Sequence, residues 1–247
     1  MLLRLLNFDL RRYKTRDSKE YIGVDYFHDL EQLLRNTKIT VIDVGANDGD
    51  WAESFTTKVK VIDSYLGFEP DKNVFLDLSK SINKNPSVKQ FQIFNVALGA
   101  KNSMATLNIM NSSSMNSILL PGKDMWGYVI DRREIEVKSL DSIFATEKIS
   151  IRKNRNFLKI DTQGYDFEVL KGANSLLKEH DIDLVLCEVI VSEIYESEDY
   201  FHKLLVYMSD LNYLLFGFYE QHNNNSSLAW FDLMFISKSF KEVLNSV

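Results

Sequence analysis

The chain has 247 residues, 45% of them hydrophobic, so it can bury a full core, and its length suits one large domain. Its net charge of −6 and the lack of a basic face argue against a nucleic-acid partner. The single cysteine, Cys187, lies in an apolar run and has no partner for an internal disulfide. That is typical of a core residue in a reducing compartment, so we expect a cytoplasmic protein.

The N-terminal part, residues 1–38, is predicted to be a helical extension that precedes the main domain at 39–247. Arg4 interrupts its apolar start, and Asp9 follows too soon for a signal peptide or a membrane span. Residues 1–16 are predicted to form a surface helix, with a helix lying on a membrane or a partner as the alternative. The oligomeric state is left open.

Apolar runs and helical patterns then alternate along most of the chain, which indicates a parallel sheet with helices on both faces. The predicted strands lie at 39–44, 64–69, 89–95, 156–161, 182–189, 212–219 and 228–236. The predicted helices lie at 24–35, 49–57, 71–83, 139–146, 165–178 and 196–210. The expected fold class is α/β, with a doubly wound, seven-stranded, mostly parallel sheet of Rossmann-like type.

Two segments depart from this alternation. Residues 100–138 contain short strand-like pieces at 104–109 and 134–137, joined by a serine-rich run, and we interpret them as an insertion over the carboxyl edge of the sheet. The last two strands are separated by only a polar loop, whereas parallel strands need a crossover of about a dozen residues or more. The chain should therefore end in an antiparallel hairpin.

The first strand runs into a loop that combines glycines with acids. Gly45 and Gly49 suit the tight turn of a nucleotide-binding loop. The carboxylates of Asp43, Asp48 and Asp50 would oppose a pyrophosphate, because two like charges about 5 Å apart repel by about 3 kcal/mol at an effective dielectric of about 20. A cationic nucleoside, S-adenosylmethionine (SAM), fits better. The predicted cofactor contacts in this loop are Asp43, Gly45, Ala46, Asn47 and Gly49.

Later strand ends add further candidates at the same edge. Glu69 follows the second strand, where a carboxylate can accept hydrogen bonds from both ribose hydroxyls. Asn95 and Ala97 follow the third strand and could frame the adenine. After the fourth long strand, Asp161 and Gln163 precede a turn at Gly164, and they are also predicted to contact the cofactor.

A methyl transfer to an alcohol also needs a group that takes the hydroxyl proton. Asp161 is the first candidate for a general base or for orienting the hydroxyl, and Glu188 is the second. The two carboxylates could instead hold Mg²⁺, but nothing supplies a full ligand set, so no metal is predicted. Expected contacts of the acceptor come from serines and aromatic rings, and from His222 in the hairpin loop. These residues are Ser114, Ser117, Trp126, Tyr165, His222 and Trp230.

Five segments together resemble the FkbM-type methyltransferases. They are Val41 to Trp51, Phe68 to Pro70, Asn95 to Gly99, the serine-rich run, and Leu158 to Gly172, and the resemblance covers about residues 38–237. It implies the class I methyltransferase fold, whose last strand is antiparallel, with SAM as cofactor. It also implies O-methylation of a hydroxyl on a sugar, glycan or secondary metabolite. The family often has Glu where this chain has Gln163, which puts a catalytic role for that position in doubt.

Two other functions stay open. An NAD-dependent oxidoreductase of Rossmann type shares the fold, but the chain lacks the G-x-G-x-x-G fingerprint and any Tyr-x-x-x-Lys dyad. A non-catalytic scaffold could keep the cofactor pocket without turnover. The expected partner in the leading hypothesis is a small-molecule or glycan acceptor.

Overall fold

The computed structural model describes residues 23–35, 37–59, 61–151, 154–196, 200–224 and 227–245. The helix predicted for residues 1–16 lies outside the described residues. Among the helices that are described, none has the length and apolar character needed to cross a membrane.

The described strands, in chain order, are β1 (Ile39–Val44), β2 (Ser64–Phe68), β3 (Phe91–Phe94), β4 (Ala97–Leu98), β5 (Ser103–Met110), β6 (Val129–Lys138), β7 (Arg155–Ile160), β8 (Leu184–Ile190), β9 (Tyr213–Asn224) and β10 (Ser227–Ser237). The described helices are α1 (Tyr26–Leu33), α2 (Asp50–Lys58), α3 (Lys72–Lys84), α4 (Leu140–Glu147), α5 (Asp166–Gly172), α6 (Asn174–Lys178), α7 (Phe201–Asp210) and α8 (Lys238–Asn245). A single 3₁₀ turn, Ser113–Met115, lies between β5 and β6.

The central sheet has seven strands in the order β3-β2-β1-β7-β8-β10-β9. All neighbouring pairs are parallel except those of β10, which runs antiparallel to both β8 and β9. The α/β fold class and the C-terminal hairpin predicted from loop length are therefore confirmed. The short connection between β9 and β10 leaves no room for a crossover helix, so the chain must reverse direction there.

Both faces of this sheet are buried, as expected when helices cover a parallel sheet. Successive residues of a strand point to opposite faces. Ile42 and Val44 of β1 accordingly pack into one core cluster, while Ile39 and Val41 pack into the other. Helix α1 belongs to the second cluster through residues such as Leu30, which is fully buried.

The segment predicted as an insertion supplies β5 and β6 of a second, three-stranded sheet in the order β4-β6-β5, and β4 lies just before the segment. Strands β5 and β6 are antiparallel, and they contain the predicted pieces at 104–109 and 134–137. A guanidinium nitrogen of Arg133 in β6 lies 2.6 Å from the carboxylate of Asp71, the residue that caps α3 just beyond β2. This ion pair holds the small sheet against the carboxyl edge of the large one.

Two predicted helices differ from the structure. The helix predicted at 196–210 begins only at Phe201. The segment 165–178 forms two short helices, α5 and α6, rather than one. Gly172 lies so close to the backbone of Gly99 that a Cβ atom would be 2.1 Å from its carbonyl oxygen. The chain turns at Ala173, directly after this contact, and α6 begins at Asn174.

Candidate functional site

Two cavities lie side by side at the carboxyl edge of the central sheet. The first encloses about 760 Å³ of empty space, counting its open mouth, and the second about 470 Å³. The first lies over the ends of β1, β2 and β7 and under the serine-rich run, while the second lies over β7, β8 and β10. Asp161, directly after β7, lines both. Ligands of open parallel sheets bind beyond these strand ends, so the two cavities are the candidate site.

Gly45 lets the ends of β1 and β7 come together at the first cavity. Its φ is +73°, and a Cβ atom there would lie 1.9 Å from the carbonyl oxygen of Asp161. No other residue type avoids that backbone clash. The next polar residue, Asn47, also lines the cavity, and its buried Oδ1 has no hydrogen-bond partner among the described residues.

Glu69 lines the same cavity and is almost completely buried, with 6% of its surface exposed. Its carboxylate accepts the N–H of Asp71 at 2.8 Å and the N–H of Asn47 at 3.1 Å. Burial raises the pKa of Glu69 to about 7, although both hydrogen bonds lower it. The backbone thus fixes the carboxylate in place.

Asn95 was predicted to frame the adenine. In the structure its side-chain N–H₂ donates to the carbonyls of Glu69 and Pro70.

Asp43 is the main correction to the predicted cofactor contacts. It is fully buried, does not line the first cavity, and accepts the hydroxyl of Tyr65 at 2.8 Å. Its other oxygen lies 3.2 Å from the ammonium of Lys159. The charge of Asp43 is therefore compensated inside the protein, and the predicted repulsion of a pyrophosphate by this residue is wrong.

Two further loop residues also lie away from the cavity lining. Ala46 is buried and donates its backbone N–H to the carbonyl of Phe68 at 3.0 Å. Gly49 caps α2 with a φ of +96°, and a Cβ atom there would lie 2.9 Å from the hydroxyl of Ser81. Both residues shape the loop, and neither lines the first cavity.

Gln163 connects the carboxylates of the two cavities. Its side-chain N–H₂ donates to Asp161 at 2.7 Å and to Glu188 at 3.4 Å. The hydroxyl of Tyr195 donates to the amide oxygen of Gln163 at 2.9 Å, which fixes the direction of the amide. Gln163 also has a φ of +55°, in the left-handed region. Its neighbours therefore hold Gln163 in a backbone conformation that residues other than glycine seldom adopt.

Glu188 lies in the second cavity and not in the first. Burial raises the pKa of Glu188 well above its usual range, and the charges of Asp161 and Asp166 raise it further. Asp166 is fully buried and accepts hydrogen bonds from Thr162 and from the backbone N–H of Glu188. That carboxylate ties the end of β8 to the loop that carries Asp161.

Of the predicted acceptor contacts, Ser114, Ser117 and Tyr165 line the first cavity. The hydroxyl of Ser117 donates to the carbonyl of Gln163 at 2.8 Å and accepts the N–H of Leu119 at 3.0 Å. These two hydrogen bonds fix the serine-rich run over the cavity and leave one acceptor lone pair of the Ser117 hydroxyl unused.

The predicted aromatic contacts form a stack at the second cavity. The indole of Trp230 lies between His222, with ring centroids 4.5 Å apart, and Trp126, at 5.6 Å. Only Trp230 of the three lines the cavity. Trp126 is 61% exposed and extends the aromatic surface outward.

Sequence reasoning missed Lys159, Asp232 and Tyr26, which line the second cavity. Lys159 has a detectable signal, because it is a cation between the apolar residues Leu158 and Ile160 and lies two residues before Asp161, on the same face. Asp232 and Tyr26 come from distant parts of the chain and carry no comparable signal. In the described part of the chain, no group of three or more His, Cys, Asp or Glu side chains is arranged to hold a metal ion.

Comparisons with known proteins agree with this architecture. The chain is similar to the methyltransferase FkbM of Methylobacillus flagellatus KT, with 18% identity, a TM-score of 0.50 and coverage of 84% of this chain and 49% of that one. The chain thus spans about half the length of that protein. The methyltransferase domain of METTL16 follows with 13% identity, a TM-score of 0.46 and coverage of 86% and 66%. A putative tRNA (m1A22) methyltransferase of Streptococcus pneumoniae, crystallised with SAM, has 9% identity, a TM-score of 0.43 and coverage of 85% and 72%.

No curated protein sequence is significantly similar to the chain. The family model described as "Methyltransferase FkbM domain" matches residues 43–215, from the end of β1 into β9. The match includes the glycine loop, Glu69, the small sheet and the loop of Asp161. Since it covers well over half of the 247 residues, the chain belongs to the FkbM methyltransferase family.

Proposed function

We propose that the protein is a SAM-dependent methyltransferase that methylates a hydroxyl group of a sugar, glycan or secondary metabolite. The first cavity would hold the cofactor and the second the acceptor. The observation that carries this proposal is the position of Asp161, a residue that lines both cavities. A carboxylate at the boundary can contact a group of each ligand.

The residues around the first cavity fit SAM. The carboxylate of Glu69 suits the two ribose hydroxyls, since each of its oxygens can accept more than one hydrogen bond. Phe68, Val96 and Leu98 supply an apolar wall for an adenine ring. The unpartnered Oδ1 of Asn47 needs a donor, and both the hydroxyls and the ammonium group of SAM are donors.

Bound there, SAM would supply a methyl group activated by its sulfonium, which leaves as a neutral thioether. The chain would contribute alignment and proton transfer. Asp161 is held by the amide of Gln163 through one oxygen, and its other oxygen lies 3.6 Å from the ammonium of Lys159. Such a carboxylate can orient an acceptor hydroxyl and take its proton.

Calorimetry with the purified chain tests the cofactor assignment. S-adenosylhomocysteine (SAH) and SAM should bind, and NAD should not. Binding of NAD without binding of SAH would contradict the proposal and would favour an oxidoreductase.

Mass spectrometry with methyl-labelled SAM and a panel of hydroxylated compounds tests the reaction. We expect Asp161→Asn to lower turnover by about 10²-fold or more, with SAH binding retained. Glu136→Gln, which removes an exposed carboxylate in β6, is the matched control and should leave turnover unchanged. Full turnover in Asp161→Asn would show that the carboxylate of Asp161 does not take part in the reaction.

A further inference from the structure

The second cavity carries an unusual pairing of acids. Asp232 of β10 and Glu188 of β8 are register partners on neighbouring antiparallel strands, and both side chains line the cavity. Two carboxylates directly opposite each other destabilise a sheet. Burial raises the pKa of Asp232 well above its usual range, and Asp161 and Glu220 raise it further. Glu220 and Asp161 also line this cavity, which makes four acids around one space.

Lys159, the one cation among the described residues that line the cavity, compensates these charges only in part. It lies 3.6 Å from Asp161, and its charge lowers the pKa of Asp232 and of Glu188 without offsetting the effect of burial. Its ammonium lies 3.2 Å from Asp43 beneath the cavity and donates to the carbonyl of Gly45 at 3.1 Å. No described residue donates a hydrogen bond to the carboxylate of Asp232. From the residues that the structure describes, the carboxylate of Glu188 receives only the 3.4 Å contact from Gln163. The cavity therefore has more acceptor oxygens than the described residues supply donors for.

A separate feature of the cavity is a donor without an acceptor. Tyr26 of α1 lines the cavity and is 5% exposed. Its phenol oxygen accepts the indole N–H of Trp51 at 3.1 Å, so its own O–H must point elsewhere. No acceptor for that hydrogen is found among the described residues. A buried O–H of this kind needs a partner oxygen, which a ligand can supply.

The walls of the cavity add flat apolar surface. The indole rings of Trp51 and Trp230 both line it, and Trp230 continues into the stack with Trp126 outside. Aromatic faces pack against sugar rings and attract cations. Acids, a phenol donor and indole faces are thus combined beside Asp161.

Resting on the proposed function, we propose that the acceptor is a polyhydroxylated amine, such as an amino sugar, whose ammonium group binds between Asp232 and Glu188. The hydroxyl to be methylated lies beside Asp161, and another oxygen of the acceptor receives the hydrogen bond of Tyr26. The amine serves as an anchor and is not the atom that is methylated. A neutral sugar would leave the facing carboxylates without a counter-charge, and an acidic sugar would add to their repulsion.

Calorimetric titration of the full chain in the presence of SAH tests this inference. The probes are D-glucosamine, N-acetylglucosamine and D-glucose, which share one ring and differ at one position. We expect glucosamine to bind at least tenfold more tightly than the other two. Asp232→Asn should reduce its affinity by about tenfold and leave SAH binding intact. Asp77→Asn, which removes an exposed acid on α3, is the control for net charge and should change nothing.

Equal binding of glucosamine and glucose would overturn the inference, and so would a preference for glucosamine that survives Asp232→Asn. Turnover of glucosamine with the methyl group on nitrogen would also overturn it, because the amine would then be the reacting group. If the wild-type chain does not bind SAH at all, the proposed function itself is wrong. Failure of the inference and failure of the proposed function therefore give different results.

Discussion

The ammonium of Lys159 lies 3.2 Å from the carboxylate of Asp43, in the middle of the central sheet, with side-chain exposures of 6% and 0%. The two residues are register partners on the parallel strands β1 and β7. Burial by itself lowers the pKa of Lys159, but attraction to Asp43 and Asp161 raises it above its usual range. The lysine also holds the carbonyl of Gly45, so one ammonium fixes the floor beneath both cavities.

Lys159→Met should destabilise the protein strongly, because the Asp43 carboxylate would stay buried without its counter-charge. We expect urea denaturation to show a loss of about 3–5 kcal/mol, part of which Asp43→Asn in the same chain should restore. Lys89→Met removes an exposed ion pair with Asp63 and should cost at most about 1 kcal/mol. Similar small losses for both variants would contradict a structural role of the buried pair.

Gly45→Ala should prevent β1 and β7 from closing at the site. The new Cβ would lie 1.9 Å from a backbone oxygen of Asp161, so the strand ends would have to separate. Gly23→Ala is a matched control, since Gly23 also has a positive φ but no atom within 4 Å of the added Cβ. It should cost only about 1–2 kcal/mol. We expect SAH binding to be lost in Gly45→Ala and kept in Gly23→Ala, and retained binding in both would show that the close approach is not needed.

The affinity for SAH should depend on pH through Glu69. The pKa of Glu69 is raised to about 7, so the carboxylate becomes protonated as the pH falls below that value and loses an acceptor oxygen. Between pH 8 and pH 6 the dissociation constant should rise about tenfold. In Glu69→Gln binding should be weaker by about 1–3 kcal/mol and nearly independent of pH. A wild-type affinity that stays constant over this range would argue against a ribose contact of the ionised carboxylate.

Gln163→Glu should destabilise the chain in a pH-dependent way. The change removes the N–H₂ that donates to Asp161 and Glu188 and adds a third carboxylate beside them. Like charges raise carboxyl pKa values in the folded state, so stability is lost as the pH rises through these raised values. We expect a loss of about 1–3 kcal/mol at pH 8 and a smaller one at pH 5. Gln163→Met removes the donor without adding charge, so its loss of stability should change less with pH than that of Gln163→Glu. Equal pH profiles of the two variants would refute this explanation.

The sequence predicted which residues lie at the carboxyl edge of the sheet wherever the chain nearby decides that position. Gly45, Asn47, Glu69, Ala97, Asp161 and Gln163 all line the first cavity, as their positions at predicted strand ends suggested. The direction of a parallel strand fixes which of its ends meets the ligand, so local pattern was enough. Asp43 was placed wrongly because its neighbour across the sheet, Lys159, comes from a strand more than a hundred residues away.

By itself the sequence determined the order of elements, the mostly parallel sheet and the reversal at its end, because periodicity and loop length constrain the chain locally. The tertiary structure alone decided how charge is distributed at the site. It paired Asp43 with Lys159, and it placed Asp232 opposite Glu188 with Tyr26 facing the same space. A carboxylate can be neutralised beneath a cavity, or it can face the cavity without a full counter-charge. Contacts between strands decide which of the two occurs, and these contacts exist only after the sheet has formed.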